Sequence, residues 1–368
     1  MQVLIVGGGV IGLLSALELS RAGCQVTVLD KAQHGRAASW AGGGILSPLY
    51  PWRYMAPVNQ LAGLAPMLYS TLAIELLEAT GIDIEVHRCG MMILDTDDSR
   101  DAVSWFMNQP VEAPNMLDAQ ALRSTNPRLA HHHHRALWCP SMSNLRNPHL
   151  IKALIKHLEQ RGVKLVRNTQ VMSVEKKDAL ITAVIDQHGT RWTADQYVVA
   201  SGAWSGQLTD LVGVDLPVQP VKGQMILYKT PPRWLPCMVM NRGVYLIPRI
   251  DGHVLCGSTI EQTGFDDRID DAAQRHLADR AIDMVPELAG MVVRDQWAGL
   301  RPAAPNGIPY IGRAPHTHNL WVNAGHFRNG IVLAPGSARI LREQMLGLRT
   351  TVSASPYQFS QQLLVNMA

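Results

Sequence analysis

The sequence predicts an α/β protein built from a Rossmann-like nucleotide-binding domain and a second, mostly antiparallel β-sheet domain. Three observations lead to this prediction. A strand–glycine turn–helix–strand unit opens the chain, two later strands end in glycine, and a strand-rich stretch of different character lies between them. With 368 residues, 47% of them hydrophobic, the chain is long enough to bury the cores of two domains.

The first element is the opening βαβ unit. Gln2–Val6 predicts a buried strand, residues 13–19 an apolar helix, and Val26–Leu29 a second strand that ends at Asp30. Because a strand, a glycine turn, a helix and an acidic residue occur in this order, the unit is typical of dinucleotide binding, with Asp30 placed to accept a hydrogen bond from a ribose hydroxyl. A purely structural glycine turn is the alternative.

The glycine spacing in that turn is Gly-x-Gly-x-x-Gly. Gly7 permits a tight turn, Gly9 lets the backbone approach a pyrophosphate, and Gly12 lets the helix pack closely on the strand. The N–H groups at the helix N-terminus then face the phosphates.

The remaining elements alternate in character along the chain. Hydrophobic periodicity predicts helices over 60–80, 148–161 and 270–285, a strand-rich stretch over 218–260, and a strand at 319–323 followed by a helix from about Ile331. We therefore expect a discontinuous nucleotide-binding domain of residues 1–45, 145–215 and 300–368. The second domain would comprise residues 46–144 and 216–299.

Composition argues against several classes of protein. A net charge of +3 without a basic block gives no reason to expect a nucleic-acid or membrane partner. Five cysteines without a C-x-x-C motif favour a reducing compartment, and we expect a cytoplasmic protein. We interpret the run His131–His134 as a polar surface loop rather than a metal site, because neighbouring residues do not converge on one ion as spaced ligands do, and we predict no bound metal.

Two later segments bear on which dinucleotide binds. Strands that end in glycine recur at Gly202 and Gly325, so the chain returns to the site near its C-terminus, which is more typical of FAD enzymes than of nicotinamide enzymes. The small residues of 36–45, with three consecutive glycines, allow backbone to lie against a flat ring system. A flexible loop is the alternative for that stretch.

With these segments in place, the chain resembles the D-amino-acid oxidase and glycine/sarcosine oxidase superfamily of FAD-dependent enzymes over nearly its whole length. The resemblance is greatest to the glycine oxidases associated with thiamine biosynthesis. The segments that carry it share order and spacing with the family, and they are Val6–Gly12, Ser39–Gly43, Pro220–Gln224, Val244–Arg249, Trp297–Pro302 and Gly325–Ile331.

The resemblance implies a role for each matching residue. FAD would be held at the pyrophosphate by the glycine turn, at the adenosine side by an acidic and a basic residue, and at the flavin by small residues and a late loop. The residues concerned are Gly7, Gly9, Val10, Ile11, Gly12, Asp30, Lys31, Ala37, Ala38, Gly42, Gly43, Gly44, Val171, His326, Phe327, Arg328, Asn329, Gly330, Ile331 and Val332.

Three residues are candidates for binding substrate. The resemblance implies that Arg301 holds the substrate carboxylate, with Tyr245 and Arg328 beside it, and arginine is suited to the task because its guanidinium makes a rigid two-point contact. The alternatives are a helix cap or pairing with a structural acid for Arg301, strand packing for Tyr245, and a backbone or flavin contact for Arg328. Lys222 lies either near the flavin or at the surface.

The implied reaction is hydride transfer from the Cα of glycine or another small amine to flavin N5, with sarcosine, D-alanine and D-proline as further substrates. Glyoxylate or a 2-oxo acid, ammonia or amine, and hydrogen peroxide from dioxygen would be the products.

Because the C-terminal third contains no cysteine, we expect non-covalent FAD. Ile260 and Gly44 stand where the family carries other residues and are expected to alter pocket volume. A dehydrogenase of the same fold is the rival hypothesis, and the oligomeric state, homo-oligomers included, stays open.

Overall fold

A computed structural model of the chain describes residues 1–107, 112 and 114–359. The strands are β1 Gln2–Val6, β2 Gln25–Leu29, β3 His87–Arg88, β4 Met91–Leu94, β5 Asn115–Asp118, β6 Arg135–Cys139, β7 Ser143–Asn144, β8 Lys164–Val166, β9 Val171–Lys177, β10 Leu180–Asp186, β11 Arg191–Trp192, β12 Gln196–Val199, β13 Gln219–Lys229, β14 Met238–Asn241, β15 Val244–Pro248, β16 His253–Gly257, β17 Val293–Ala303, β18 Tyr310–Arg313 and β19 Leu320–Ala324. The α-helices are α1 Val10–Arg21, α2 Ala38–Ala41, α3 Ala56–Ala62, α4 Ala65–Thr80, α5 Ser99–Met107, α6 Ala119–Thr125, α7 Asn147–Gln160, α8 Ser205–Asp210, α9 Asp271–Met284 and α10 Gly330–Met345.

A six-stranded sheet forms the nucleotide-binding half, in the order β18-β19-β12-β1-β2-β8. Its strands pair in parallel except for the edge strand β18, which runs antiparallel to β19. Strand β1 has the predicted bounds, and α1 is buried along most of its length because its apolar side chains face both the sheet and α10. This is the predicted Rossmann-like layer.

An eight-stranded sheet forms the second half, in the order β17-β13-β16-β15-β14-β4-β6-β5. Every neighbouring pair is antiparallel except β14 with β4, so the prediction of a mostly antiparallel second sheet is confirmed. Helix α9 covers one face through Leu277 and Ala281, both fully buried. The long strands β13 and β17 pair from Gln219–Ala303 to Tyr228–Val293.

The predicted domain division needs two corrections. The boundary at 299/300 falls inside β17, which belongs to the eight-stranded sheet as far as Ala303. Residues 56–80, assigned to the second domain, pack instead against α7 and α10 beside the six-stranded sheet, where the Tyr69 hydroxyl donates a 2.7 Å hydrogen bond to the Ile331 carbonyl. An apolar helical pattern shows that one face is buried but not which sheet buries it. Residues 360–368 of the predicted first domain lie outside the described residues.

The stretch Ala56–Thr80 is also long and apolar enough to cross a membrane by length and composition. It is divided at Gly63 and Leu64 into the helices α3 and α4. Leu61, Leu72 and Leu76 belong to the same core as α1 and α10. We therefore interpret the two helices as part of the covering layer of the six-stranded sheet.

The run His131–His134 is only partly the exposed polar loop that the sequence predicts. His131, His132 and His134 are exposed, but His133 is 2% exposed. The rings of His132 and His133 also lie close together, with centroids 4.1 Å apart. The two neighbouring rings are thus in contact, and the prediction that the run binds no metal stays untested.

Candidate active site

A cleft of about 700 Å³ extends along the carboxyl ends of β1, β2 and β12 and reaches the strands β13, β15 and β17 of the other sheet. Ligands of open α/β sheets bind at the carboxyl ends of the parallel strands. The cleft is therefore placed for a long ligand that contacts both halves of the molecule.

The glycine turn forms one end of the cleft. Gly7 has a φ of +115°, and a Cβ at that position would lie 2.3 Å from the Ala200 carbonyl oxygen. A Cβ at Gly12 would lie 1.8 Å from the Gly7 carbonyl oxygen, so glycine is required where the helix meets the turn. The two glycines thus allow the turn to pack against β12 and α1 to start close to the turn, and helix N-termini favour phosphate.

Two side chains hold this turn in place. Asp30 accepts hydrogen bonds from the backbone N–H groups of Gly8 at 2.7 Å and Ala32 at 2.8 Å. The Ser39 hydroxyl oxygen accepts one from the N–H of Val10 at 2.9 Å. Ser39 belongs to the small-residue segment after the βαβ unit, and its contact with the turn was not predicted because side-chain partners 29 residues apart leave no periodic signal.

Nearly all residues predicted to bind cofactor line this one cleft; Gly12 instead packs beneath it. Those in the lining are Gly7, Gly9, Val10, Ile11, Asp30, Lys31, Ala37, Ala38, Gly42, Gly43, Gly44, Val171, His326, Phe327, Arg328, Asn329, Gly330, Ile331 and Val332. Lys31 stacks over the Trp204 ring, 3.3 Å from its centroid, and burial lowers the pKa of Lys31.

The glycine segment 42–44 is held by a buried arginine that the sequence did not single out. Arg249 is 5% exposed and donates hydrogen bonds to the carbonyl oxygens of Gly43 at 2.9 Å and Leu145 at 2.8 Å, and to the Asn144 side chain. Burial lowers the pKa of Arg249 to about 10. The arginine thus fixes the backbone on one wall of the cleft.

The expected effect of Ile260 on pocket volume is wrong, whereas Gly44 lines the cleft and its expected effect stays a prediction. Gly44 has a φ of +77°, and a Cβ there would point at the Leu145 carbonyl oxygen, 2.1 Å away, so the backbone conformation explains the glycine. Ile260 is 55% exposed and does not belong to the cleft lining.

Arg301 lies within strand β17 and lines the cleft. Its Nη1 donates to the carbonyl oxygens of Thr259 at 3.1 Å and Lys222 at 3.2 Å, and its Nη2 donates to the Ser258 hydroxyl at 2.6 Å. These contacts use three of the five guanidinium N–H donors. None of the three acceptors is charged, so the positive charge is available to a ligand.

Gly223 makes room for that guanidinium. Val221 of β13 pairs with Arg301 of β17, and a Cβ at Gly223 would lie 2.0 Å from the arginine Nη2. Burial lowers the pKa of Arg301; Tyr245 opposes this shift and the charge of Arg328 adds to it. Tyr245 and Arg328 line the same cleft as Arg301.

Lys222 occupies neither of its two predicted places. Its side chain is 6% exposed, forms an ion pair of 2.8 Å with Glu261, and does not line the cleft. Glu261 also accepts hydrogen bonds from Thr259 and Gln224. The pair therefore braces the segment whose Ser258 and Thr259 contact Arg301.

Tyr245 and Arg328 complete this part of the cleft. Tyr245 is 7% exposed and its ring packs over Gly43, where a Cβ would lie 3.3 Å from the ring. The Nη2 of Arg328 is buried without a hydrogen-bond partner. Among the described residues neither Arg301 nor Arg328 forms a salt bridge with an acid. Both guanidinium groups can therefore pair with the negative charge of a ligand.

His326 lies at the base of the cleft, and its tautomer follows from its neighbours. Ser337 donates its hydroxyl proton to the Leu333 carbonyl at 2.9 Å, so the contact of 3.0 Å between the Ser337 oxygen and His326 Nε2 requires a proton on Nε2. The Nδ1 atom is then a buried acceptor without a partner. Burial lowers the pKa of His326 to about 3, so the ring is neutral.

Comparison with known proteins bears directly on this cleft. The sequence profile of the family described as "FAD dependent oxidoreductase" matches residues 2–344. The chain belongs to this family of FAD-dependent oxidoreductases.

Relatives within the family narrow the assignment. The chain is 44% identical to glycine oxidase of Pseudomonas aeruginosa, over 97% of this chain and 98% of the relative. The crystal structure of glycine oxidase from Geobacillus kaustophilus superposes with a TM-score of 0.91 at 30% identity, covering 97% of both chains. A bifunctional ThiO/ThiG protein of Synechocystis is 31% identical over 98% of this chain and 54% of its own length. The chain is an FAD-dependent amino-acid oxidase similar to glycine oxidases.

The residues of this family member fit FAD. The glycine turn places the N-terminus of α1 at one end of the cleft, and the opposite end contains the unpartnered buried atoms His326 Nδ1, Arg328 Nη2 and Asn329 Nδ2. Buried polar atoms are rarely left without partners, so these three indicate a polar ligand at that end.

Proposed function

We propose that the chain catalyses the oxidative deamination of glycine and other small amino acids and amines, among them sarcosine, D-alanine and D-proline. The products would be glyoxylate or a 2-oxo acid, ammonia or an amine, and hydrogen peroxide. The chemistry that FAD supplies when bound is acceptance of a hydride at N5, followed by electron transfer to dioxygen. The 44% identity to a glycine oxidase supports this substrate class.

One observation supports the proposal most strongly: Arg301 and Arg328 approach the same part of the cleft without an acidic partner among the described residues. Arg301 is held by three uncharged acceptors, so its orientation is fixed before substrate arrives. A carboxylate would complete its donors and neutralise the charge in a site of low polarity. The Tyr245 hydroxyl would orient the same carboxylate.

The amine of the substrate has no obvious acceptor for its proton in this part of the cleft. The two acidic residues of the lining, Asp30 and Asp267, lie with Lys31 at the other end. His326 is neutral with a pKa of about 3 and is therefore a very weak base. We infer that the amine binds neutral, or loses its proton to water, and that the side chains position rather than deprotonate it.

The decisive experiment is substitution of Arg301. In Arg301→Ala the substrate carboxylate would lose its buried ionic partner, which costs about 3–5 kcal/mol. We therefore expect kcat/KM for glycine to fall by about two to four orders of magnitude. Flavin content should be unchanged, and Arg301→Lys should recover part of the activity because lysine lacks the two-point contact. Oxygen uptake with stoichiometric peroxide is the assay, since it also separates an oxidase from the rival dehydrogenase.

The matched control is Arg313→Ala, which removes an exposed arginine at the edge of the six-stranded sheet. Its kinetics should equal those of the parent. If Arg301→Ala retained its flavin and oxidised glycine within about threefold of the parent, the clamp assignment would be wrong and Arg328 would be the next candidate.

Cytoplasmic location also stays a proposal. All five cysteines, which lie among the described residues, are free thiols, and this supports a reducing compartment. The ThiO/ThiG relative supports the connection with thiamine biosynthesis that the sequence resemblance implied.

A further inference from the structure

A cluster of metal-ligand type lies outside the FAD cleft, at the edge of the eight-stranded sheet. It comprises His132 and His133 on the loop before β6 and Asp283 in the last turn of α9. One ligand atom from each residue lies within 4.8 Å of the other two. A hydrogen bond of 3.0 Å from the Ala130 N–H to the Met284 carbonyl joins the same loop to the end of the helix.

The buried histidine is oriented as a ligand. His133 Nδ1 lies 2.5 Å from the Asp95 carboxylate, which accepts only, so Nδ1 carries a proton. The other nitrogen, Nε2, lies 3.3 Å from the backbone carbonyl oxygen of Asp283. A proton on Nε2 would satisfy this contact, and a cation bound by Nε2 would take the place of that proton. A carboxylate hydrogen-bonded to the far nitrogen is also the usual support of a metal-binding histidine.

The carboxylate of the cluster is oriented too. Asp283 Oδ1 lies 3.3 Å from His132 Nε2, and Oδ2 pairs with Arg280 Nη1 at 3.1 Å. Arg280 is itself hydrogen-bonded to the Asn241 side chain on β14. One carboxylate oxygen thus faces the histidines while the other is occupied by a cation that fixes the side chain.

The ligand chemistry indicates the ion. Two imidazoles and one carboxylate suit Zn²⁺ and neighbouring first-row divalent ions, with bonds of about 2.0–2.2 Å, and they suit Ca²⁺ or Mg²⁺ poorly. Such bonds require the ligand atoms to approach to roughly 3.3 Å. His132 is exposed and can make this adjustment, and water can supply the fourth position.

We propose that His132, His133 and Asp283 bind one divalent first-row transition ion, with Zn²⁺ as the reference ion. Asp95 and Arg280 act as positioning residues for His133 and Asp283. The bound ion joins the 126–134 loop to the end of α9 and so stabilises the edge of the eight-stranded sheet. The site is separate from the oxidation chemistry, because none of these residues lines the FAD cleft.

The test uses the FAD-loaded protein without an affinity tag, freed of metal by a chelator that is then removed. Zn²⁺ is titrated in competition with a zinc-binding dye. We expect one Zn²⁺ per chain, and an affinity at least about tenfold weaker in His132→Ala, Asp283→Asn and Asp95→Asn. His132 is chosen because it is exposed, so its removal does not disturb the core. Flavin content and glycine oxidation should be unchanged in each variant.

The matched control is His134→Ala, an exposed histidine of the same run. Its Zn²⁺ affinity should stay within about twofold of the parent, a difference too small to represent a lost ligand. The proposal is overturned if no saturable binding occurs, if His134→Ala weakens binding as much as His132→Ala, or if Asp283→Asn binds like the parent. The second outcome would identify unspecific binding to the histidine run, and the third would leave Asp283 without a role.

Discussion

The guanidinium of Arg301 occupies the space that a side chain at Gly223 would need. Even a methyl group there would lie 2.0 Å from Nη2 and 2.2 Å from Cζ. In Gly223→Ala the arginine must move, and misplacement by about 1 Å costs up to about a hundredfold in rate. We expect kcat/KM for glycine to fall about 10- to 100-fold with flavin retained, mainly through a higher KM.

Steady-state kinetics with glycine check this, with Gly290→Ala as the control, since a Cβ at Gly290 meets nothing within 4 Å. Kinetics of Gly223→Ala within about twofold of the parent would show that the arginine does not need its observed position. Both variants also lose a glycine, so the comparison corrects for its effect on the unfolded chain.

The protonation of the substrate governs the second prediction at this scale. Because His326 has a pKa of about 3 and stays neutral, no histidine in the cleft lining titrates between pH 6 and 9 to act as base. Only the neutral amine has a lone pair to assist hydride loss. The rate of flavin reduction at low glycine concentration should therefore rise toward alkaline pH, as the ammonium form is depleted. Anaerobic stopped-flow absorbance measures this rate. A reduction rate that does not change between pH 6 and 9 would contradict the inference.

At the scale of elements, Arg249 connects the end of β15 with the glycine segment 42–44 on one wall of the cleft. Replacing Arg249 by Met removes the hydrogen bonds that it donates to three acceptors. These are the carbonyl oxygens of Gly43 and Leu145 and the side-chain oxygen of Asn144. Each acceptor left buried costs about 1–3 kcal/mol. We expect Arg249→Met to weaken FAD binding at least about tenfold, which corresponds to about 1.4 kcal/mol.

Fluorescence titration of the apoprotein with FAD measures the affinity. Arg275→Met, at an exposed site on α9, controls for the loss of a charge. If Arg249→Met bound FAD as tightly as the parent, the glycine segment would hold its conformation without the arginine.

The elements themselves were largely predictable, and their partners were not. Strand β1 and helix α7 follow from local periodicity, since Gln2–Val6 is observed as predicted and Asn147–Gln160 differs from the predicted helix by one residue at each end. By contrast, the support of Arg301 depends on the pairing of β13 with β17, about 80 residues apart. No periodic pattern reports that register, so Gly223 and Ser258 were missed. The buried position of Lys222 was missed for the same reason.

At the scale of the whole molecule, the two sheets meet at a few close contacts beside the cleft. The Trp297 Nε1–H of β17 donates a hydrogen bond of 3.0 Å to the Ala41 carbonyl of α2. A Cβ at Gly299 would lie 2.7 Å from the Ala41 Cβ, so the strand and the small-residue segment are in direct contact. The cleft then continues from the glycine turn, within one sheet, to Arg301 and Tyr245 on the other.

This arrangement predicts that FAD couples the two halves and that its adenosine portion alone does not. Asp30, Lys31 and Val171, the residues expected at the adenosine, belong to or adjoin the six-stranded sheet, whereas Gly43, Tyr245 and Arg301 line the part of the cleft expected to hold the flavin. A ligand that binds the folded state alone stabilises it by about 2.7 kcal/mol at a concentration 100 times its Kd. FAD and ADP at equal saturation should therefore raise the melting temperature similarly, but should protect different parts of the chain.

Amide hydrogen exchange is measured on the apoprotein alone, after addition of ADP and after addition of FAD. This comparison separates overall stabilisation from protection of particular strands. We expect both ligands to slow exchange in β1 and α1, and only FAD to slow it in β13 and β17, because local opening of these strands exposes the wall that the flavin would contact. Acid precipitation should release all the flavin, as expected for FAD that is not covalently attached. Equal protection of β17 by ADP would show that the eight-stranded sheet responds to occupation of the glycine turn by itself, and the flavin would not be what links the two sheets.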